Sequence, residues 1–493
     1  MTDKAKINRL PTGVPGLDEV LGGGVPELSF NLIAGAPGCG KTTLAHQIMF
    51  ENATPERPAL YLTVLGEPPL KMLRYQQQFD FFDHEEINRS IHFVNLTEEA
   101  LKGDLDLLLR RIVAEVEAHA PALVFVDSFR SMANAGTGQG LVHNDLQLFV
   151  QQLGMLMTSW QATTFLIGEY SEADANPVFT VADGMIGMRQ SVQRNSMVRK
   201  IEIMKMRGQP TLGGLHSFRI GSAGIQVFAP AYTVAPESDD TQDPLRPRVS
   251  MGVSGLDEML HGGLPKGFSM LAAGPSGSGK SILAAAFLEA GARAGETGVM
   301  VAFEQRPNRA RSRVLAELIE SGQVGLLTTT APDTSIDEMV QRITDEIRRL
   351  KASRVVIDSL TGFQLVVAPT FQDDFRESLL RLVTALIDTG VTVLLTCELE
   401  DRYTDLRFSP FGTASLTDAI IVQRYIEVES RLLRVMAVVK LRASSHSDEL
   451  RAFTINDDGI QVGDPLPHQE GLLGGRPTEN ASESKSSDPA KVN

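Results

Sequence analysis

The sequence predicts an α/β protein in which one domain is used twice, each copy a mostly parallel sheet with antiparallel strands added at one edge. Three observations carry this expectation. TGVPGLDEVLGGGVPELSFNLIAGAPGCGKTTLA (residues 12–45) returns as MGVSGLDEMLHGGLPKGFSMLAAGPSGSGKSILA (residues 251–284), identical at about half of its positions. Later signposts repeat in the same order. VFVDS ending at Ser128 answers VVIDS ending at Ser359, Lys205-Met206-Arg207 answers Lys440-Leu441-Arg442, and Gly224-Ile225-Gln226-Val227 answers Gly459-Ile460-Gln461-Val462. Finally, short continuous apolar runs alternate with amphipathic stretches, the pattern of a parallel sheet covered on both faces.

In the first copy, LSFNLIAG, ALYLTVL, LVFVD and TTFLIG are apolar runs of strand length, and LDLLLRRIVAEVEAHA carries apolar residues at helical spacing. Each copy then becomes richer in strand. MVRKIEIMKMR and LRVMAVVKLR alternate and read as antiparallel additions at the sheet edge. APAYTVAPESDDTQDPLRPR (residues 229–248), rich in Pro and Asp, suits an exposed connector. The expected organisation is a first domain over residues 1–230, a connector over 231–248 and a second domain over 249–463. Residues 464–493 contain few large apolar side chains and are expected to form a disordered tail.

Composition narrows the function classes. The chain has 493 residues, 46 Lys plus Arg against 61 Asp plus Glu, a net charge of −15, and 42% apolar residues, as an ordinary globular protein does. The acidic excess argues against broad phosphate-driven binding of nucleic acid. Only two cysteines occur, Cys39 and Cys397, too few for a disulfide framework or a four-thiolate zinc site, so a reducing, cytoplasmic setting is expected. The first residues, MTDKAKINRLPTG, lack the apolar core of a signal peptide, and no run is long enough to span a bilayer.

Chemistry is concentrated at the repeated segments. Gly35-Ala36-Pro37-Gly38-Cys39-Gly40-Lys41-Thr42 and Gly274-Pro275-Ser276-Gly277-Ser278-Gly279-Lys280-Ser281 both fit the phosphate-binding P-loop, each between an apolar strand and a helix start. Its glycines let successive backbone N–H groups face the phosphates, and the helix N-terminus adds a favourable dipole. Lys41 and Lys280 are placed to reach the β- and γ-phosphates of ATP, with Thr43 in the following turn, while the hydroxyls of Thr42 and Ser281 are candidates to hold Mg²⁺. Asp127 and Asp358 end buried strands downstream, where a carboxylate binds the metal through water. Glu67 in LTVLGEPP and Glu304 in VAFEQRP are candidates to orient the attacking water, Glu304 also lying near the metal. Only Gly66, and not Glu67, lines up with Glu304. Lys205 with Arg207, and Lys440 with Arg442, put two cations on one strand face, with Met206 and Leu441 between them. Such a pair is either a solvated edge or a phosphate-contacting device offered to a neighbouring subunit. Arg199 and Arg434, six residues earlier, are expected to join that surface. Cys39 reads as a small residue at a variable loop position, the alternative being a modifiable thiol. Trp160 and the methionines of GMLMTSW read as helix core.

These motifs in this order resemble the KaiC family, whose founding member is the cyanobacterial circadian-clock ATPase of the RecA superfamily. The likeness runs from Leu10 to Val462. It implies a homohexamer of two stacked rings with ATP between subunits, slow ATPase activity, autokinase and autophosphatase chemistry in the second ring, and regulatory protein partners of the KaiB kind. The chain departs from the family in three places. Two adjacent glutamates are replaced by Gly66-Glu67 and by Glu304-Gln305. The adjacent Ser and Thr that accept phosphate correspond to Ala414 and Ser415, so Ser415 is the remaining acceptor. The tail shows no likeness to the segment that meets KaiA. His446 stands where the family has a histidine near the nucleotide.

Three functions follow as alternatives: a KaiC-like ATPase with serine/threonine autokinase activity, an ATP-gated interaction scaffold with negligible turnover, and a DNA motor. A motor calls for basic pore loops, whereas NAGTGQGLVHND and VVAPTFQDDF, which follow Asp127 and Asp358, are neutral to acidic.

Overall fold

The computed structural model describes residues 7–64, 69–102, 104–128, 143–169, 178–193, 196–230, 246–303, 313–329, 334–367, 375–399, 416–428 and 430–466. It divides into two compact units, Met1–Pro230 and Ala231–Asn493. In the first, β1 (Arg9–Leu10) and β2 (Val25–Pro26) form a small antiparallel ribbon. The main sheet contains β3 (Phe30–Gly35), β4 (Ala59–Thr63), β5 (Ile91–Asn95), β6 (Leu123–Asp127), β7 (Thr163–Gly168), β8 (Gly184–Gln193), β9 (Ser196–Met206), β10 (Leu215–Gly221) and β11 (Gly224–Phe228). Their order across the sheet is β11-β10-β9-β8-β3-β7-β6-β4-β5. Strands β3 to β8 are mutually parallel, and β9, β10 and β11 continue the sheet antiparallel.

The second unit repeats this plan. A ribbon of β12 (Arg248–Val249) and β13 (Leu264–Pro265) precedes β14 (Ser269–Gly274), β15 (Gly298–Ala302), β16 (Val324–Thr328), β17 (Arg354–Asp358), β18 (Thr392–Glu398), β19 (Ala419–Val428), β20 (Arg431–Leu441), β21 (Arg451–Asn456) and β22 (Gly459–Pro465). The order is β16-β15-β17-β18-β14-β19-β20-β21-β22. This is the expected fold class, a mostly parallel α/β sheet with antiparallel edge strands, present twice.

The central strands form because most of their side chains are apolar and gain by leaving water: every residue of β3, β4, β7, β14, β15 and β17 is buried, the few polar ones included. Each sheet supports a core on both faces, one under the P-loop helix, such as Ile33, Leu44, Ile48 and Tyr61, and one on the far face, such as Leu32, Leu62, Ile112 and Leu153. The apolar stripe read in LDLLLRRIVAEVEAHA becomes the helix Leu105–His119, burying Leu108, Ile112 and Val116. Asp104 caps it by accepting hydrogen bonds from the Asp106 and Leu107 amides. In the second unit Ser335 caps the matching helix Ile336–Leu350.

The leader motif before each P-loop also has a structural cause. Asp18 accepts hydrogen bonds from the backbone N–H and hydroxyl of Thr12, and Asp257 does the same for the Met251 amide and the Ser250 hydroxyl. In the second unit a buried ion pair ties this leader to the sheet. Arg354, only 3% exposed, donates to Glu296 Oε2 at 2.6 Å and to the carbonyls of Ser250 and Phe287. Glu296→Ala removes the ion-pair partner of that guanidinium, leaving Asp257 and the two carbonyls, and urea unfolding of the second unit is expected to lose about 2 kcal/mol.

Three details differ from the sequence reading. The antiparallel extension is three strands wide, where only the strands that became β9 and β20 were distinguishable; β10, β21 and β22 are partly exposed, and β11, though mostly buried, is only five residues long. Strand β22 runs to Pro465, beyond Val462, because its edge pairing with β21 does not depend on apolar side chains. Met157 and Trp160 pack on the core as expected, but Met155 is 65% exposed. Two residues apart on a helix, Met155 and Met157 face nearly opposite sides.

Candidate nucleotide sites

Both P-loops connect the C-terminal end of a central strand to the helix behind it. Gly38 and Gly277 have φ 76°, and Gly40 and Gly279, at φ 107° and 100°, cap the helices Lys41–Asn52 and Lys280–Arg293. This left-handed backbone is open to glycine at little cost and is strained for a side chain. A Cβ would also strike Ile220 Cδ1 at 2.8 Å from Gly40, and Ile455 Cδ1 at 2.7 Å from Gly279. The first glycines are equally constrained: a Cβ on Gly35 would lie 2.2 Å from the Met188 carbonyl oxygen, and one on Gly274 2.7 Å from that of Gln423.

The lysines curl back over the loops. Lys41 Nζ donates to the carbonyls of Gly35 and Ala36, both at 2.9 Å, and Lys280 Nζ to those of Gly274 and Pro275 at 2.8 and 2.7 Å. Burial pulls the Lys280 ammonium below its ordinary pKa, opposed by the negative charges of Glu398 and Asp358. Cys39 and Ser278 occupy the same position and are both fully buried. Ser278 donates to Gln423 Oε1 at 3.1 Å, while burial raises the Cys39 thiol, so Cys39 fills in the first domain the interior place that Ser278 fills in the second.

Asp127 and Asp358 end β6 and β17, and each is followed by a cis peptide bond, to Ser128 and Ser359. Thr42 Oγ1 donates to Asp127 Oδ2 at 3.0 Å, bringing together the hydroxyl and carboxylate chosen for magnesium. The same oxygen accepts from the Tyr61 hydroxyl at 2.8 Å. Burial pushes the Asp127 pKa up, and these two hydrogen bonds and the Lys41 charge pull it back. Asp358, 7% exposed, accepts instead from Thr396 Oγ1 at 2.5 Å. A hard-oxygen set of one hydroxyl and one carboxylate beside phosphate-binding amides fits Mg²⁺, which takes few protein ligands and keeps substrate oxygens and water for the rest. Ser281 and Asp358 supply the same two groups in the second domain. Tyr61, Thr396 and Gln423 escaped the sequence reading; a phenol in the otherwise aliphatic ALYLT was the only signal for the first.

The two Lys-x-Arg pairs lie at the opposite ends of their sheets. Gly35 pairs with Met188, whereas Met206 pairs with Gly184, which sits beside Asn31 at the start of β3. Four residues of strand, about 13 Å, separate these ends. There Lys205 Nζ donates to the Ala182 carbonyl at 2.5 Å and Arg207 Nη1 to Asp183 Oδ1 at 3.0 Å. Lys440 donates to the Thr417 carbonyl at 2.6 Å and Arg442 to Asp418 at 3.4 Å. Both arginines remain more than half exposed, and burial together with the neighbouring arginine lowers each lysine pKa. His446 follows this strand, its Nδ1 2.9 Å from the Ser447 carbonyl oxygen.

Arg199 and Arg434 do not join that surface. Arg199 pairs with Gln190, which reaches the Pro37 carbonyl, and Arg434 lies over Tyr425, 5.5 Å from its centroid. The Tyr425 hydroxyl is 3.0 Å from the Cβ position of Gly277. Six residues of strand carry these arginines to their own P-loops instead. Glu67, Gly66, Glu304 and Ser415 lie outside the described residues.

A parallel α/β sheet with a P-loop at its central strand, an aspartate ending the strand two places away, and antiparallel strands at one edge defines a RecA-like ATPase domain. The family profile described as "ATPase: KaiC" matches residues 10–232 and again 249–466, so the chain belongs to the KaiC ATPase family. It is 27% identical over 495 residues to the circadian clock oscillator protein KaiC of Picosynechococcus sp., covering 97% of this chain and 94% of that one. KaiC 1 of Synechocystis sp. is similar to the same extent, 27% over 495 residues with 97% and 94% covered. KaiC of Thermosynechococcus vestitus is 26% identical over 497 residues, covering 98% and 94%. The chain is accordingly a KaiC-like, ATP-binding ATPase. Among the described residues no helix is long and apolar enough to cross a membrane.

Proposed function

We propose that this protein is a Mg²⁺-dependent ATPase acting as a cytoplasmic homohexameric double ring, with serine autokinase activity in the second ring, and that it signals through regulatory protein partners as clock-type relatives do. The observation that carries this reading is the placement of P-loop and Lys-x-Arg at opposite ends of one sheet, in both domains. Within one chain, neither pair of cations reaches the P-loop of its own domain. Stacking copies around a ring presents each pair to the next subunit, completing a site that a monomer leaves half built.

In that assembly Thr42 with Asp127, and Ser281 with Asp358, would hold the metal, which neutralises charge on the β- and γ-phosphate oxygens. The P-loop amides and Lys280 orient the phosphates, and Arg442 from the neighbour faces the transferring group, so catalysis is mainly positioning and charge stabilisation. Glu304 orients the attacking water, and Ser415 is the alternative acceptor. His446 and Arg434 flank the nucleotide.

The strand registers, Thr63 with Asp127 and Ala302 with Asp358, match Val64 to Phe303, so that in sequence Leu65, and not Gly66 as expected, stands at the position of Glu304. The missing carboxylate favours a second reading for the first ring, an ATP-gated scaffold with negligible turnover. One experiment covers both. Purified protein incubated with ATP and Mg²⁺ is expected to release phosphate and to carry a phosphoryl group on Ser415 by peptide mass spectrometry. Glu304→Gln is expected to cut release about 100-fold. Release unchanged by Glu304→Gln would sink the catalytic assignment, and an unmodified Ser415 would remove the kinase.

A further inference from the structure

The two metal-facing aspartates are held by different means. In β4 the third residue is Tyr61 and in β15 it is Met300, each two positions before the residue paired with its aspartate: Thr63 with Asp127, and Ala302 with Asp358. Tyr61 is fully buried, and its hydroxyl donates to Asp127 Oδ2 at 2.8 Å. Its ring is fixed from three sides. The His46 ring meets it edge-on at 4.7 Å between centroids, Phe93 leans on it at 5.3 Å, and Phe125 stacks at 6.0 Å. Among the described residues neither His46 ring nitrogen has a hydrogen-bond partner, and burial lowers its pKa to about 3, so the histidine is a neutral plate that locks the phenol.

We infer that Tyr61 is a positioning residue of the first magnesium site, absent by design from the second, where Met300 stands at its place and Thr396 holds Asp358. The phenol and Thr42 commit one oxygen of Asp127 to two donors, which fixes the plane of the carboxylate before metal arrives. Outer-shell hydrogen bonds of this kind orient metal-binding carboxylates, and their loss typically weakens metal affinity about 10- to 100-fold. The first site is therefore preset for magnesium. This rests on the ATP- and Mg²⁺-binding role proposed above for the first P-loop.

The test uses the full chain carrying Lys280→Ala, so that nucleotide retention reports the first site, and measures ATP affinity across a Mg²⁺ series and in EDTA. Tyr61→Phe keeps the ring and removes only the hydroxyl. It is expected to raise the Mg²⁺ concentration at half-maximal tightening about tenfold while leaving the affinity in EDTA within about twofold. Tyr61→Met, which installs the residue of the second domain, is expected to give the same shift. An unchanged Mg²⁺ midpoint in Tyr61→Phe overturns the inference, as does a parallel loss of affinity in EDTA, which would mark a packing role alone. If the Lys280→Ala parent itself shows no Mg²⁺-dependent ATP binding, the reading of the first P-loop fails, and the role of Tyr61 falls with it.

Discussion

Replacing Lys280 by Ala is expected to weaken ATP binding at the second site by about 3–4 kcal/mol, roughly 300-fold in Kd, and Lys41→Ala to do the same at the first. The ammonium of each lysine already lies within the P-loop, against the carbonyls of its first two residues, so no rearrangement of helix or strand is needed to bring it to a phosphate. Two charge-assisted contacts at about 1.5–2 kcal/mol each give the stated loss. Because assembly is proposed to depend on nucleotide held between copies, the double variant is expected to stay monomeric in light scattering with MgATP present, while the unaltered chain assembles. A hexamer formed by the double variant would separate assembly from nucleotide.

Arg442→Ala is expected to lower phosphate release by the second ring about 10³-fold while leaving ATP affinity nearly intact. Arg442 lies beyond the strand end that faces away from its own P-loop, 3.4 Å from Asp418 and 52% exposed. In the proposed ring its effect falls on the neighbouring copy. Mixing inactive Arg442→Ala with inactive Lys280→Ala is therefore expected to restore part of the activity, because some interfaces in the mixed ring join an intact P-loop to an intact arginine. No recovery on mixing would place Arg442 in its own subunit's chemistry or outside the chemistry altogether. Arg207→Ala in the first domain is the matching case.

The parts of the fold legible in the sequence were those with a single dominant cause. Buried parallel strands announce themselves as unbroken apolar runs, and LDLLLRRIVAEVEAHA as a helix, because burial is all they require. The P-loops were legible because few residues tolerate their backbone: glycine at the left-handed turns and a lysine long enough to fold over them. Edge strands such as β10 and β21 were not separable from loops, since their formation is set by a neighbouring strand that the sequence does not place beside them. The same reason hid Thr396 and Gln423. A threonine in a strand is ordinary until the sheet order puts β18 against β17 and its hydroxyl on Asp358. Arg434 shows the opposite error. Six residues looked close in sequence to Lys440, but along an extended strand they span a whole sheet edge.

One carboxylate in each domain serves two addresses. Asp183 holds Arg207 through Oδ1 and the first amide of β3, at Phe30, through Oδ2; Asp418 holds Arg442 and the first amide of β14, at Ser269, in the same way. Five residues further along, each of those strands delivers the opening glycine of a P-loop. The exposed arginine and the phosphate-binding turn of each domain thus sit at the two ends of one buried six-residue strand, with no loop between them.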